Sequence, residues 1–215
     1  MRELNVFVDI ELAGVLFEEN NIWSFQYAPS WLNSTKGHAL SPSIPLSENK
    51  LVDGSSERPV QWFFDNLLPE ETARELLAKD TNQPLYDAFG LLEVAGSESA
   101  GAITLLPPEQ AIEKGEVHPL TAEDVNTRIK KLPHIPLNRA ERKRMSLAGA
   151  QHKMLVVYKD SQLYEPSGQF PSTHILKPEH SSPEVYYQTV RNEWFVMSLA
   201  RACGLNVPDG KTPVH

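Results

Sequence analysis

Residues 173–202 have the sequence THILKPEHSSPEVYYQTVRNEWFVMSLARA, in which a strand-like segment precedes a long helical one. The strand-like part is THILK, and the periodicity of the remainder predicts a helix over Glu184–Ala202. Apolar side chains recur along this helix every three or four residues, and Glu193 falls within the stripe that they form. The stripe predicts a buried helix face. It consists of Tyr186, Val190, Trp194, Met197 and Ala200.

The carboxylate of Glu193 is costly to bury unless a cation or several hydrogen-bond donors satisfy it. Lys177, the last residue of THILK, is the obvious partner. A strand lysine paired with a helix glutamate is the arrangement that kinases use to hold the phosphates of ATP. The alternative is a helix rotated slightly so that Glu193 reaches solvent, and the pattern alone favours neither.

A loop with the sequence MSLAGAQHK, residues 145–153, precedes another strand-like run. Small residues let backbone amides approach a ligand closely, and successive amides can form a concave anion site, here flanked by Ser146 and Lys153. A tight β-turn with no ligand is the alternative, and for this motif in isolation it is the more common one. The small residues are Ala148, Gly149 and Ala150.

A cluster of basic residues lies directly before Ser146 in an otherwise acidic chain. Such a cluster could receive a phosphate on or near Ser146 through charge-assisted hydrogen bonds. A solvated helix face is the more common explanation for a run of this kind. The cluster consists of Arg139, Arg142, Lys143 and Arg144.

The first 110 residues show sheet and helix patterns of their own. Leu4, Val6 and Val8 alternate with polar residues, and the runs ELAGVLFEE and IWSFQYA follow, so we expect an antiparallel meander. Three short helices are predicted in VQWFFDNLL, ETARELLAKD and PLYDAFGLLEVAG, and we expect them to pack on this meander.

These patterns predict an α+β fold in three segments. Residues 1–110 form an N-terminal subdomain, and residues 111–144 form a linker whose helix lies in TAEDVNTRIKKL. Residues 145–215 form a unit of antiparallel strands with one long helix, in which a turn rich in Pro, Ser and Gly separates the strands KMLVVYK and THILK. The last residues, KTPVH, resemble the start of a further strand, so we expect the chain to stop within a domain.

Composition excludes several classes of function. With 28 acidic and 20 basic side chains the formal net charge is -8, which argues against stand-alone binding of nucleic acid. A single cysteine, Cys203, allows no intramolecular disulfide and favours the cytoplasm, and no stretch reaches the ~18 apolar residues of a membrane span. We also predict no structural metal, because the histidines lack metal-ligand spacing and the single cysteine has no second cysteine to pair with. They are His38, His118, His134, His152, His174, His180 and His215.

Seven motifs in order make the chain resemble the HipA family of bacterial toxin kinases over almost its whole length. An ordered series is far more specific than any single motif. The motifs are FQYAPSWL (25–32), SPSIPL (41–46), FFDNLLP (63–69), SAGAITLLP (99–107), SLAGAQHK (146–153), STHILKP (172–178) and NEWFVMSLARACGLNVP (192–208).

The resemblance implies a serine/threonine protein kinase distantly related to the eukaryotic-type kinase fold, with ATP and Mg as cofactors. Residues 145–215 would then be the start of a kinase-like small lobe, truncated before the catalytic lobe. In this family the kinase is the toxin of a two-gene module. Its partner is a HipB-like helix-turn-helix antitoxin, through which alone it contacts DNA, and its substrate is a protein such as a component of translation.

The resemblance also assigns roles to single residues. Lys177 matches the lysine that anchors the nucleotide, Glu193 matches its helix partner, and Ser146 matches the loop serine whose autophosphorylation shuts the family's kinases off. His152 departs from the family pattern, since some relatives carry an acidic residue there. The phosphate-covering loop comprises Ala148, Gly149, Ala150, Gln151, His152 and Lys153.

The catalytic loop is absent from the sequence. Phosphoryl transfer requires a catalytic aspartate and metal-binding asparagine and aspartate residues, which in this family lie in the C-terminal half. We therefore expect no catalytic residue in this chain and no phosphate transfer by it alone. Two hypotheses stay open: the chain is part of a complete kinase, or it is a non-catalytic module that binds an antitoxin or a separate kinase subunit and regulates it.

Overall fold

The computed structural model describes residues 1–98, 102–112, 114–132, 151–168, 170–180 and 182–210. These residues form a five-stranded sheet and a four-stranded sheet, with helices packed beside them. Every pairing between the described strands is antiparallel. The α+β fold class expected from the sequence is therefore confirmed.

The five-stranded sheet consists of β1 (Arg2–Val8), β2 (Glu11–Glu19), β3 (Ile22–Tyr27), β4 (Leu51–Val52) and β5 (Ile103–Leu106). Their order in the sheet is β4-β3-β2-β1-β5, so the first three strands form the predicted meander. Alternation along β1 places Leu4, Val6 and Val8 in the core. The sheet thus has one face covered by apolar contacts.

Four helices accompany this sheet: α1 (Pro29–Leu32), α2 (Pro59–Asp65), α3 (Glu71–Thr81) and α4 (Ala88–Ala95). The sequence predicts the last three, whereas α1 is a single additional turn. Helices α2 and α4 face the sheet through aromatic side chains. The rings of Phe25 and Phe64 are 5.6 Å apart and those of Trp23 and Phe89 are 5.2 Å apart. Burial of these rings fixes both helices on the meander.

The four-stranded sheet consists of β6 (Glu116–Leu120), β7 (Met154–Lys159), β8 (Gln162–Ser167) and β9 (His174–Leu176), in the order β6-β8-β7-β9. The sequence predicts β7 and β9 but neither of the others. The segment expected to be only a turn contains β8, because the reversal needs just Asp160 and Ser161, whose φ angles are 50° and 62°. The segment described as a linker supplies β6, which pairs with β8.

Helix α5 (Ala122–Lys130) is the helix expected in TAEDVNTRIKKL, and it begins with a capping box between Thr121 and Asp124. Arg128 on this helix donates to both carboxylate oxygens of Glu165 on β8, at 2.9 and 2.8 Å. Val125 packs in a small apolar cluster with Met154. A bidentate ion pair and this cluster therefore hold α5 on the second sheet.

Helix α6 (Thr189–Ala202) begins at Thr189 and not at Glu184, as the periodicity predicts. Gln188 has a left-handed backbone with φ of 50°, a conformation that an α-helix of L-residues does not continue. The amides of Val185 and Tyr186 both donate to the carbonyl of Ser182, so the chain turns before the helix starts. The predicted helix is correct over residues 189–202 and wrong over residues 184–188.

Replacing Arg128 by Met should lower the free energy of unfolding by about 2–4 kcal/mol, because it leaves the buried Glu165 without its cation. Urea denaturation followed by circular dichroism measures this loss. Arg191→Met, at an exposed position of α6, is the matched control. The double variant R128M/E165M should recover part of the loss, and a loss in R128M no larger than that of the control would contradict the expected role of the pair.

Candidate functional site

Lys177 and Glu193 form an ion pair in which the Lys177 Nζ donates to Glu193 Oε1. Lys177 follows β9 directly, and Glu193 lies in the second turn of α6. Their side chains are 31% and 43% exposed. The structure thus brings together the two residues that the sequence pairs, at a position that is partly open to solvent.

The apolar stripe of α6 is not buried as the sequence predicts. No side chain of this helix is fully buried, and Tyr186 lies outside it. Val190, Met197 and Ala200 are half-buried on the side that carries Glu193. A set of large apolar side chains on the remaining surface is at least half exposed: Trp194, Phe195, Val196 and Leu199.

Gln151, His152 and Lys153 are the described part of the predicted phosphate-covering loop. His152 is buried, with 8% of its surface exposed. Burial lowers the pKa of the Lys153 ammonium, as does the positive charge of Lys177, while the charges of Glu70 and Glu193 act in the opposite direction. The two lysines therefore share one electrostatic environment. Ser146, Ala148, Gly149, Ala150 and the basic cluster of Arg139, Arg142, Lys143 and Arg144 lie outside the described residues.

The connection between β9 and α6 contains polar residues that sequence reasoning missed. The His180 ring lies 4.1 Å from the Tyr186 ring, and His180 Nδ1 accepts a hydrogen bond from the Ser182 amide at 3.1 Å. Gln151 Nε2 makes a long contact of 3.5 Å with the Pro178 carbonyl, which places the predicted loop beside this connection. The sequence instead predicted a helix from Glu184 onwards, so the polar contacts of this connection were not expected.

The arrangement can hold an anion. Two ammonium groups lie near the start of β7 and the end of β9, and a carboxylate orients one of them. Ammonium groups are point charges suited to phosphate oxygens.

In the described residues, no group of three or more His, Cys, Asp or Glu side chains is placed to hold a metal ion, and no helix is long and apolar enough to cross a membrane.

Stability should depend on pH through His152. Burial, with a smaller contribution from His180, lowers the pKa of His152 below its usual 6.5. The unfolded chain then binds a proton before the folded chain does, so this contribution to stability is present above pH 6.5 and is lost as pH falls through the folded pKa. Urea denaturation across this range should show a flatter pH dependence for His152→Gln than for the unmodified chain.

The exposed His118 provides the matched control, since His118→Gln should keep the pH dependence of the unmodified chain. An unchanged slope in His152→Gln would contradict the burial of a neutral imidazole at this position.

Two family models match the chain one after the other. The first, described as the HipA N-terminal domain, matches residues 4–106. The second, described as the HipA-like C-terminal domain, matches residues 145–212. The second match contains the Lys177–Glu193 pair and the loop before β7.

Relatives and a solved structure agree with these matches. The chain is 36% identical over 215 residues to Y4mE of Sinorhizobium fredii, which is named as a kinase. The aligned region covers 96% of the chain and 50% of the relative. It is 32% identical over 187 residues to the serine/threonine-protein kinase toxin HipA of Shewanella oneidensis, covering 86% of the chain and 40% of the relative.

The fold is similar to a chain in the solved complex of HipA, HipB and operator DNA from the Shewanella oneidensis toxin–antitoxin system. The TM-score is 0.68 at 26% identity, covering 95% of this chain and 46% of that chain. The chain therefore spans about half the length of the relatives it matches. With both family models matched in order and the fold shared with this complex, the chain is a HipA-like protein.

Proposed function

We propose that this chain is the N-terminal half of a HipA-like toxin that phosphorylates serine or threonine residues of proteins with ATP, within a toxin–antitoxin module. The observation that carries the proposal is the ion pair of Lys177 and Glu193 beside a second lysine, Lys153. A strand lysine held by a helix carboxylate is the device by which kinases orient the α- and β-phosphates. Relatives named as kinases support the same conclusion.

Each residue of the site has a proposed role. Glu193 holds the Lys177 ammonium in place. The lysine side chain is therefore already ordered before the phosphates bind. Lys153 supplies a second positive charge, and Gln151 and His152 continue the phosphate-covering loop from Ala148–Ala150. Mg, when bound, would neutralise charge on the ATP phosphates, and we propose that its protein ligands come from the part of the kinase that this chain does not span.

The proposal extends to regulation. A phosphate on Ser146 would compete for the cations that hold ATP, and the basic cluster at residues 139–144 would receive it. The same proposal divides the chain into a HipA-type subdomain (1–110), a linker (111–144) whose described residues carry β6 and α5, and the start of the kinase core (145–215).

The chain alone is proposed to be inactive, with the catalytic aspartate and the metal ligands in the half that follows. The exposed apolar side chains of α6 support this view, because contiguous apolar surface on a protein of this kind marks an interaction site. They are Trp194, Phe195, Val196 and Leu199.

The proposed partners are suggested by the solved structure of HipA from Shewanella oneidensis, which is a complex with HipB and operator DNA. We propose a HipB-like antitoxin as the partner of this protein, with DNA contacted through it, since a net charge of -8 disfavours direct binding. The proposed substrate is a protein of the translation machinery, and the proposed location is the cytoplasm.

Replacing Lys177 by Met in the complete product of the gene should abolish growth arrest in cells while leaving the protein folded. The change removes the ammonium but keeps an unbranched side chain of similar length. Growth after induction measures toxicity, and thermal unfolding checks the fold. Lys159→Met, at an exposed position at the end of β7, is the control and should stay toxic. Undiminished arrest by the Lys177 variant would reject the nucleotide role.

The 215-residue chain, incubated with ATP and magnesium, should transfer no phosphate to itself or to a mixture of cell proteins. Transfer should appear when the polypeptide made from the native locus is used. An antibody against residues 1–110 measures the size of that polypeptide, and we expect roughly twice the length of this chain. A product of this chain's own length would favour the non-catalytic module, and transfer by the isolated chain would contradict the proposed inactivity.

A further inference from the structure

The helix that carries Glu193 has an unusual N-terminus. Gln188, the residue before α6, supplies no side-chain hydrogen bond to the helix and has a left-handed backbone. The first amides of a helix have no partner within the helix, and a side chain normally satisfies them. In α6 the acceptor comes from elsewhere: Glu179 Oε2 lies 3.4 Å from the Val190 amide nitrogen.

Thr189 connects this carboxylate to the backbone of the preceding segment. Its hydroxyl donates to Glu179 Oε2 at 2.9 Å and accepts from the His180 amide at 3.1 Å. A hydroxyl can do both at once, so Thr189 ties the side chain of Glu179 and the main chain of His180 to the first turn of α6. A carboxylate at this end of the helix is further stabilised by the helix dipole.

This network and the Lys177–Glu193 ion pair connect the same two segments of the chain. Glu179 lies two residues after Lys177 in the sequence, and Thr189 lies one helical turn before Glu193. The two contacts, Lys177–Glu193 and Glu179–Thr189, are therefore successive links between the same two elements. A slip of α6 by one residue would move Glu193 by about 1.5 Å along the helix axis, enough to break a hydrogen-bonded ion pair.

We infer that Glu179 and Thr189 are positioning residues that set the register of α6 against the end of β9 and thereby hold Glu193 on Lys177. This inference rests on the proposed nucleotide site and adds the residues that keep it in shape. Because α6 has no fully buried side chain, apolar packing within the described residues gives it little resistance to sliding.

The test uses Thr189→Val and Thr189→Ser in the complete product of the gene. Valine keeps the β-branched shape and loses the hydroxyl, whereas serine keeps the hydroxyl. Titration calorimetry with Mg-AMPPNP should show about tenfold weaker binding for the valine variant and near-normal binding for the serine variant, a loss typical of residues that orient a ligand-binding group. Glu179→Gln keeps an acceptor and should have an intermediate effect.

Two controls separate positioning from general damage. Thr127→Val makes the same change at an exposed site of α5, and Glu184→Gln neutralises an exposed carboxylate five residues after Glu179 in the sequence. Both should bind Mg-AMPPNP normally. Thermal unfolding of Thr189→Val should match that of Thr127→Val. Normal nucleotide binding by Thr189→Val, or weak binding that Thr189→Ser does not restore, would overturn the inference.

A second readout does not depend on nucleotide. The coupling between Lys177→Met and Glu193→Gln in unfolding experiments should shrink when Thr189 is valine, because the pair no longer meets. If Lys177→Met leaves Mg-AMPPNP binding unchanged, the proposed nucleotide site fails, and the inference then stands or falls on this coupling alone. A coupling of the same size in both backgrounds would reject it.

Discussion

Helix α6 is held to the second sheet mainly by polar contacts, and the candidate site depends on that constraint. None of its side chains is fully buried, while Lys177 and Glu193 join it to the end of β9 through an ion pair. A half-exposed ion pair contributes little to overall stability, because solvent screens it and the two side chains lose freedom. Its value is geometric, since it fixes where one ammonium group points.

The N-terminal part of the chain is stabilised in a different way. Its core contains large rings from sheet and helices, among them Phe25, Phe64 and Phe89, each almost fully buried. Among the residues that the structure describes, the apolar cluster of the second sheet is much smaller and is built around Met154 and Val156. Apolar burial therefore fixes the first sheet and its helices, whereas the second sheet relies more on directional contacts such as the one between Arg128 and Glu165.

This difference explains what could be predicted from the sequence. An element that is buried on one face has apolar residues at regular spacing in its sequence. The meander and helices α2, α3 and α4 were therefore predictable. Strands β6 and β8 have the sequences EVHPL and QLYEPS, in which proline and charged residues hide the pattern. The start of α6 was wrong because one left-handed residue, Gln188, ends the helical geometry without any change in periodicity.

The candidate site was predictable only where charge demanded a partner. Glu193 within an apolar stripe pointed to a cation such as Lys177, while the pattern left open a rotated helix in which Glu193 reaches solvent. The contacts of Glu179 and Thr189 were not predictable, because an exposed carboxylate and a hydroxyl are satisfied equally well by water. Only the folded connection between β9 and α6 shows that they meet.

The electrostatics of the site also bear on its ligand. Burial lowers the pKa of Lys153, and so does the charge of Lys177, which means that two like charges are held close in a partly desolvated place. The charges of Glu70 and Glu193 act in the opposite direction, and with burial included the net shift of the Lys153 pKa is downward. A polyphosphate would bring several negative charges to both lysines at once, so its binding would offset the repulsion and raise the pKa of Lys153 again. An uncharged ligand would leave that repulsion in place, which is the physical reason for proposing an anion as the ligand of this site.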